Sequence, residues 1–300
     1  MRLTSFQRLA LWTTATTYFL ILVGGLVRAS GAGLGCPDWP RCFGGWIPPA
    51  SAADLPPQFD PALFNATLMW TEYVNRLLGV TVGFLILATT ISAWRHHRHE
   101  PRILWTTIAA FLLVGFEGWL GGRVVAHGLA AWIVTAHLIV AIVIVQLLLY
   151  VTYVAGGAGR AGRAGEAGAS VATAVLIALT LLQAGFGTQV RGRVDAALDA
   201  GITRDLVLRT VGRLDLLHRD LAFIVLMGAT MLTLWLLSRR SPLVSWSFVV
   251  LALAILQIAL GVFMAYGAVL PAAQVGHLTL ASLLLGAETV LWLMSRRQSA

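Results

Sequence analysis

Eight apolar stretches constrain what this chain can become. They lie near residues 9–27, 69–93, 103–122, 131–154, 171–190, 214–237, 243–265 and 272–294. Each is close to the roughly 20 residues that carry a helix across the hydrocarbon layer of a bilayer. No water reaches that layer to satisfy a peptide group, so a spanning segment must close its own backbone hydrogen bonds. The expected fold is an all-α integral membrane protein with eight transmembrane helices. Charged residues make up 11% of the sequence, against about 25% in a soluble domain. That excludes a soluble enzyme, an extended disordered chain and a disulfide-dense secreted module. The first stretch follows Arg2 and Arg8 and has the outline of a signal peptide. Its outer end, Val27-Arg28, has a counterpart in Val190-Arg191, so it is read as a span.

The 21 basic residues are all arginine, and the net charge is +8. They sit in short connections between apolar runs, which indicates a membrane surface and not nucleic acid as the partner. One set of connections holds Arg2, Arg8, Arg95, Arg98, Arg102, Arg160, Arg163, Arg239, Arg240, Arg296 and Arg297. The opposite set holds Arg28, Arg41, Arg123, Arg191, Arg193, Arg204, Arg209 and Arg213, diluted by Asp38, Asp54, Asp60, Asp195, Asp199 and Asp205. Positive charge accumulates on the cytoplasmic side, so both termini are expected there, in the plasma membrane. Residues 155–170, opening AGGAGRAGRAGEAGA, read as a flexible cytoplasmic linker.

The linker separates two similar halves, 1–154 and 171–300. Leu120-Gly121 and His137-Leu138 recur as Leu260-Gly261 and His277-Leu278, at an offset of 140. Glu72-x-x-Asn75-Arg76 recurs as Asp215-x-x-His218-Arg219, at an offset of 143. Two four-helix bundles entering from the same side make a tandem parallel repeat. From Arg28 to Glu72 is 44 positions and from Arg191 to Asp215 is 24. The surplus lies in an outer loop, 30–67, that carries both cysteines.

Three histidines stand inside apolar spans near their outer ends: His137, His218 and His277. Ionisable groups at membrane depth are costly and point to function. His96, His97 and His99 instead belong to a solvated basic loop, WRHHRHE, and His127 to a short outer loop. His218 and His277 are each about five residues into spans running the same way, so at about 1.5 Å per residue their rings share one level. Two imidazoles facing each other across a bundle suit a haem iron. Zinc would need further ligands, and no Cys or carboxylate pattern in that half supplies them.

The first half breaks the symmetry. His137 matches His277, but Asn75 stands where His218 predicts a histidine, leaving one strong iron ligand and an open face. Glu72 shares a helical face with Asn75. It is either an ion-pair partner of Arg76 or an acid/base group beside a substrate. Arg28 and Arg191 either snorkel to the interface or pair with haem propionates. Glu117 and Gln257, also repeat-equivalent, are expected to form interhelical hydrogen bonds. Cys36 and Cys42 flank PDWPR on the oxidising side, where a disulfide is expected. Its role is structural or redox-related.

GGLVRASGAGLGCPDWPRC, WTEYVNRLLG, GWLGGRVV…WIVTAHL, GTQVRGRVD…LLHRDL and QVGHLTLA together resemble the haem A synthase family, over all eight spans and in order. The resemblance implies oxidation of a ring methyl of haem O to a formyl, giving haem A for cytochrome c oxidase. It implies a cofactor haem b, with its iron between His218 and His277, in the C-terminal half. It places the substrate haem O in the N-terminal half, at Asn75 and His137 with Arg76 and Arg28 nearby, and the essential carboxylate at Glu72. Arg191 falls at a propionate-partner position, and the loop cysteine pair falls on Cys36 and Cys42. A second cysteine pair, found in some members, is absent from the 191–213 loop. Expected partners are haem O synthase, oxidase assembly factors and an electron acceptor, with a homo-oligomer as one candidate assembly. The haem sites are expected toward the outer face. Two other classes compete with this reading. A two-haem b-type electron carrier would want both sites closed, against Asn75 and Glu72. A transporter would want its polar groups near the midplane.

Overall fold

The computed structural model describes residues 3–156, 166–204, 206–267 and 269–296. The linker segment 157–165, with Arg160 and Arg163, lies outside the described residues, as do Arg2, Asp205 and Arg297. The described elements are helical: α1 (Ser5–Ala29), α2 (Ala66–His96), α3 (Pro101–Ala126), α4 (Ala131–Ala155), α5 (Ala167–Asp199), α6 (Arg213–Ser238), α7 (Val244–Tyr266) and α8 (Pro271–Ser295). All eight are long and apolar enough to cross a membrane. The protein is an all-α, multi-pass membrane protein.

Local chemistry sets several helix starts. Thr4 accepts a bond from Gln7 N while the Gln7 side chain returns one to Thr4, a reciprocal cap that satisfies two otherwise free N–H groups. Asn65 caps α2 through Leu68 N. Pro101 and Pro271 open α3 and α8, where a missing N–H costs nothing.

Each half closes as a ring of four antiparallel neighbours: α1–α2–α3–α4 and α5–α6–α7–α8, with α4 back on α1 and α8 back on α5. The halves meet through α1, α4, α5 and α8. α8 is the central helix: 56% of its apolar window is buried, against 17–33% in the other spans. Small and hydroxylic residues let these helices approach without orphaning polar atoms. Gln189 Nε2 donates to Thr135 Oγ1 at 2.7 Å across the α4–α5 seam. Thr13 and Thr89 pair at 3.0 Å between α1 and α2.

One sequence boundary is corrected. The helix of the fifth span does not end at Arg191 but continues to Asp199. Hydropathy falls beyond Val190, but helix geometry does not stop where the bilayer does. A small apolar cluster pins the extension: Val190, Val194 and Ala197 pack on Val207, Val211 and Val269. Asp195 and Asp199 are therefore helical and not loop residues.

Candidate functional site

The C-terminal half brings two of the predicted residues face to face. His218, five residues into α6, and His277, six residues into α8, have ring centroids 6.3 Å apart with planes at 64°. A metal between two imidazoles, bonded at about 2 Å to each, would separate the ring centres by roughly 6 Å. The spacing fits one iron. Each ring leans on a glycine of the neighbouring helix. A Cβ on Gly187 would lie 3.0 Å from His218 Cε1, and one on Gly261 would lie 3.3 Å from His277 Cε1. Any larger residue would push the ring off its place. His218 Nδ1 is 3.2 Å from Gln183 O, which anchors that ring through the backbone. Among the described residues no group of three or more His, Cys, Asp or Glu is placed to hold a metal. The two histidines therefore suit a group that brings most of its own ligands, as a porphyrin does.

The N-terminal half repeats this scaffold with different side chains. His137 leans on Gly121, whose Cβ would be 3.6 Å from Cε1, and Asn75 Oδ1 would be 3.9 Å from a Cβ on Gly24. Gly24 and Gly187 are repeat-equivalent, at the same offset of 163 as Arg28 and Arg191. Asn75 Oδ1 is buried with no partner. His137 Nδ1 lies 3.1 Å from Glu117 Oε1, out of line for a good hydrogen bond, and its side chain remains 40% exposed. Gln257, the counterpart of Glu117, has an unpartnered Oε1, so the expected interhelical bond is not formed there.

Glu72 is buried, and both of its oxygens are engaged. Oε2 accepts from Cys36 N at 2.8 Å, and Oε1 takes Arg76 Nε at 3.1 Å as well as its Nη2. Arg76 also donates to the carbonyls of Asp38 (2.8 Å), Arg41 (2.7 Å) and Cys36 (3.2 Å). The pair therefore fastens the cysteine loop to the second turn of α2. Within the loop, Cys36 and Cys42 form a disulfide. The Asp38 carboxylate accepts from Phe43 N and Gly44 N at 2.6 and 2.9 Å. The Trp39 ring lies on Gly122 of α3, where a Cβ would clash at 2.8 Å. A cleft of about 330 Å³ opens between Pro37, Asp38 and Trp39 of the loop and Trp119 and Arg123 of α3. In the other half Asp215 and Arg219 keep the equivalent ion pair at 2.6 Å.

Arg28 and Arg191 meet on one residue. Arg28 Nη2 is 3.0 Å and Arg191 Nη2 is 2.6 Å from the Asp195 carboxylate, and Arg191 also donates to Gln274 Oε1. This junction joins α1, α5 and α8 beside His277. Sequence reasoning missed Asp195 as a partner. Its repeat position is Ala32, so no internal repetition marks it. The cradle glycines 24 and 187 could have been found from the shared offset of 163.

A family model described as Cytochrome oxidase assembly protein, COX15-CtaA, matches residues 7–289. The chain belongs to this family. Curated proteins similar to this chain include several named Heme A synthase. That of Allorhizobium ampelinum is 27% identical over 207 residues, covering 62% of this chain and 55% of the relative. That of Geobacillus kaustophilus is 33% identical over 124 residues, 41% and 34%. That of Bartonella quintana is 32% identical over 155 residues, 44% and 43%. The chain thus spans about half or less of the length of these curated relatives. The COX15-CtaA match runs from within α1 to within α8 and includes both cradles and the cysteine loop.

Proposed function

We propose that this protein is a haem A synthase, a membrane oxidoreductase that converts a ring methyl of haem O to a formyl to make haem A for cytochrome c oxidase. The observation that carries the reading is the unequal pair of cradles. One is closed by His218 and His277; the other, built on the same glycines, presents His137 and Asn75. A closed bis-histidine site suits a resident electron carrier, and a one-histidine site suits a molecule that enters, reacts and leaves. The family and the names of the relatives support the same assignment.

In this reading residues 171–300 hold haem b through His218 and His277, and when bound it supplies one-electron transfer. Residues 1–154 bind the substrate haem O, with His137 as the strong iron ligand and Asn75 on the opposing helix. Residues 155–170 join the halves on the cytoplasmic side. Two successive hydroxylations of the methyl carbon, each taking its oxygen from water and giving up two protons, with two electrons passing to the external acceptor, would give a gem-diol, which loses water to leave the aldehyde. Glu72 and Arg76 hold the cysteine loop over the substrate half and place a carboxylate near its mouth, where charge moves as protons leave. Arg28 and Arg191 are propionate partners. Their shared partner Asp195 is itself a carboxylate, the chemistry a propionate offers. The protein lies in the plasma membrane with both termini cytoplasmic and both haem sites toward the outer face, where the Cys36–Cys42 disulfide is stable. Haem O synthase supplies the substrate, oxidase assembly factors take the product, and an external acceptor removes the electrons. A second copy of the chain is a candidate partner.

The test is to purify the protein from cells that also make haem O and to extract its haems. Haem A or haem O beside haem b is expected. Haem b alone at two per chain would make it an electron carrier, and no haem would leave transport as the alternative. Cys36→Ser is expected to retain haem b and to lower haem A formation, because the disulfide shapes the loop over the substrate half and the other half has no cysteine. Thiol labelling without reductant should find none in the wild type; two titratable thiols would show that the bridge does not form.

A further inference from the structure

Position 117 and its repeat equivalent 257 hold the difference between the two cradles that the iron ligands do not account for. His137 and His277 stand at the same offset from these positions and from the glycines that seat them, Gly121 and Gly261. In both halves the Nδ1–Cε1 edge of the ring is turned toward the neighbouring helix. A Cβ on Gly121 would lie 3.6 Å from His137 Cε1. One on Gly261 would lie 3.3 Å from His277 Cε1 and 3.9 Å from its Nδ1. One turn away on the same helix face stands residue 117 or 257. In the N-terminal half that residue is a carboxylate, with Oε1 3.1 Å from His137 Nδ1, near enough for an ion contact but out of line for a hydrogen bond. In the C-terminal half it is an amide whose Oε1 has no partner, and His277 Nδ1 has none either.

Glu117 is otherwise unexplained. Its side chain is 13% exposed and sits seventeen residues into α3 among apolar neighbours, and its second oxygen is buried with no partner. A carboxylate at membrane depth is costly unless it has a counter-charge or a strong donor. Among the described residues, the charged group beside it is the His137 ring. A histidine that binds a metal through Nε2 is oriented, and made a stronger donor, when its Nδ1–H is given to a carboxylate. An amide oxygen accepts the same hydrogen bond without adding negative charge. The carboxylate thus makes its histidine favour the more positively charged ferric iron, and the amide does so less.

We propose that Glu117 is a positioning residue that makes His137 the electron-rich ligand of the substrate haem, while Gln257 leaves His277 neutral-backed. Position 117/257 thereby sets the two haems at different reduction potentials. The inference rests on the proposed function for the identity of the N-terminal ligand. The effect is read within each site: a carboxylate behind the histidine lowers the potential of that haem relative to the same haem with an amide there. Asn75 acts in the opposite direction, because loss of a second strong donor raises the potential, so a site with one strong protein ligand depends more on that ligand's orientation and strength.

The experiment is a spectroelectrochemical titration of purified wild type, Glu117→Gln, Glu117→Asp and Gln257→Glu, each carrying its haems, together with analysis of the extracted haems. Glu117→Gln is expected to raise the potential of the N-terminal haem. It should also weaken retention of ferric haem there by about 10–100-fold, the range for loss of a carboxylate behind a ligating histidine. The His218/His277 spectrum and potential should not change. Glu117→Asp should restore part of the effect. Gln257→Glu should move the haem b potential down, which a merely structural residue would not do. An N-terminal potential and ferric-haem retention within twofold of wild type in Glu117→Gln would overturn the inference. So would an unmoved haem b potential in Gln257→Glu, and that arm decides should Glu117→Gln lose haem b through misfolding. A wild type that binds two haems but makes no haem A would sink the proposed function alone, while the potentials still test the role of position 117. A wild type without haem in the N-terminal half would overturn both.

Discussion

His218→Ala or His277→Ala is expected to abolish the low-spin haem b spectrum and haem A formation together. The two ring centroids are 6.3 Å apart, and each ring is seated against a glycine of the neighbouring helix. Among the described residues no cluster of acidic, cysteine or histidine side chains stands by as a replacement. Loss of an outer partner of a metal ligand already costs about 10–100-fold, so removal of the ligand itself should exceed that and leave activity at background. The fold should survive, because the tightly packed core of this bundle lies deeper, around Leu176, Val225, Leu232, Leu236 and Leu291. Optical spectra of the purified variants and chromatography of their extracted haems make the check. Retention of a six-coordinate b-type spectrum in either variant would remove that histidine from the iron.

Glu72→Gln is expected to leave haem b in place and stop turnover. Glutamine keeps the shape of the side chain and can still accept from Cys36 N, but it removes the negative charge against which Arg76 is held. If the pair served only to tie down the loop, the amide would cost some stability and leave most of the activity. If the charge takes part in moving protons off the methyl carbon, turnover should fall by about 10²–10⁴-fold, the range for a positioned acid or base. Haem O, or a hydroxymethyl form of it, should then accumulate on a protein with an intact disulfide. Asp215, which makes the equivalent ion pair in the other half, sits beside a site closed by two histidines, and Asp215→Asn should not produce that accumulation. Normal haem A in cells making Glu72→Gln would take Glu72 out of the chemistry and move the role to His137.

Length, apolarity and repetition are enough to find the eight spans, the two matching halves and the level of the three intramembrane histidines. These follow from rules that act locally. A bilayer accepts only segments whose backbone is satisfied internally, so length and apolarity are enough to find them. A repeat copies positions, so His277 predicts the depth of His137. Only the tertiary structure decided what those side chains touch. Hydropathy ends the fifth span at Val190, yet contacts with Val207, Val211 and Val269 carry α5 on to Asp199. That extension brings Asp195 between Arg28 and Arg191, which are 163 positions apart. Glu72 reads as a partner for Arg76 four residues away. Its second partner, Cys36 N, lies in an irregular loop whose path depends on the disulfide, on Asp38 and on the seat of Trp39 against Gly122. Glu117 and His137 are 20 residues apart on antiparallel neighbours. Their repeat equivalence was legible, but their approach to 3.1 Å was not, because the rotation of α3 against α4 is set by side-chain packing along the whole contact and not by the residues at either site.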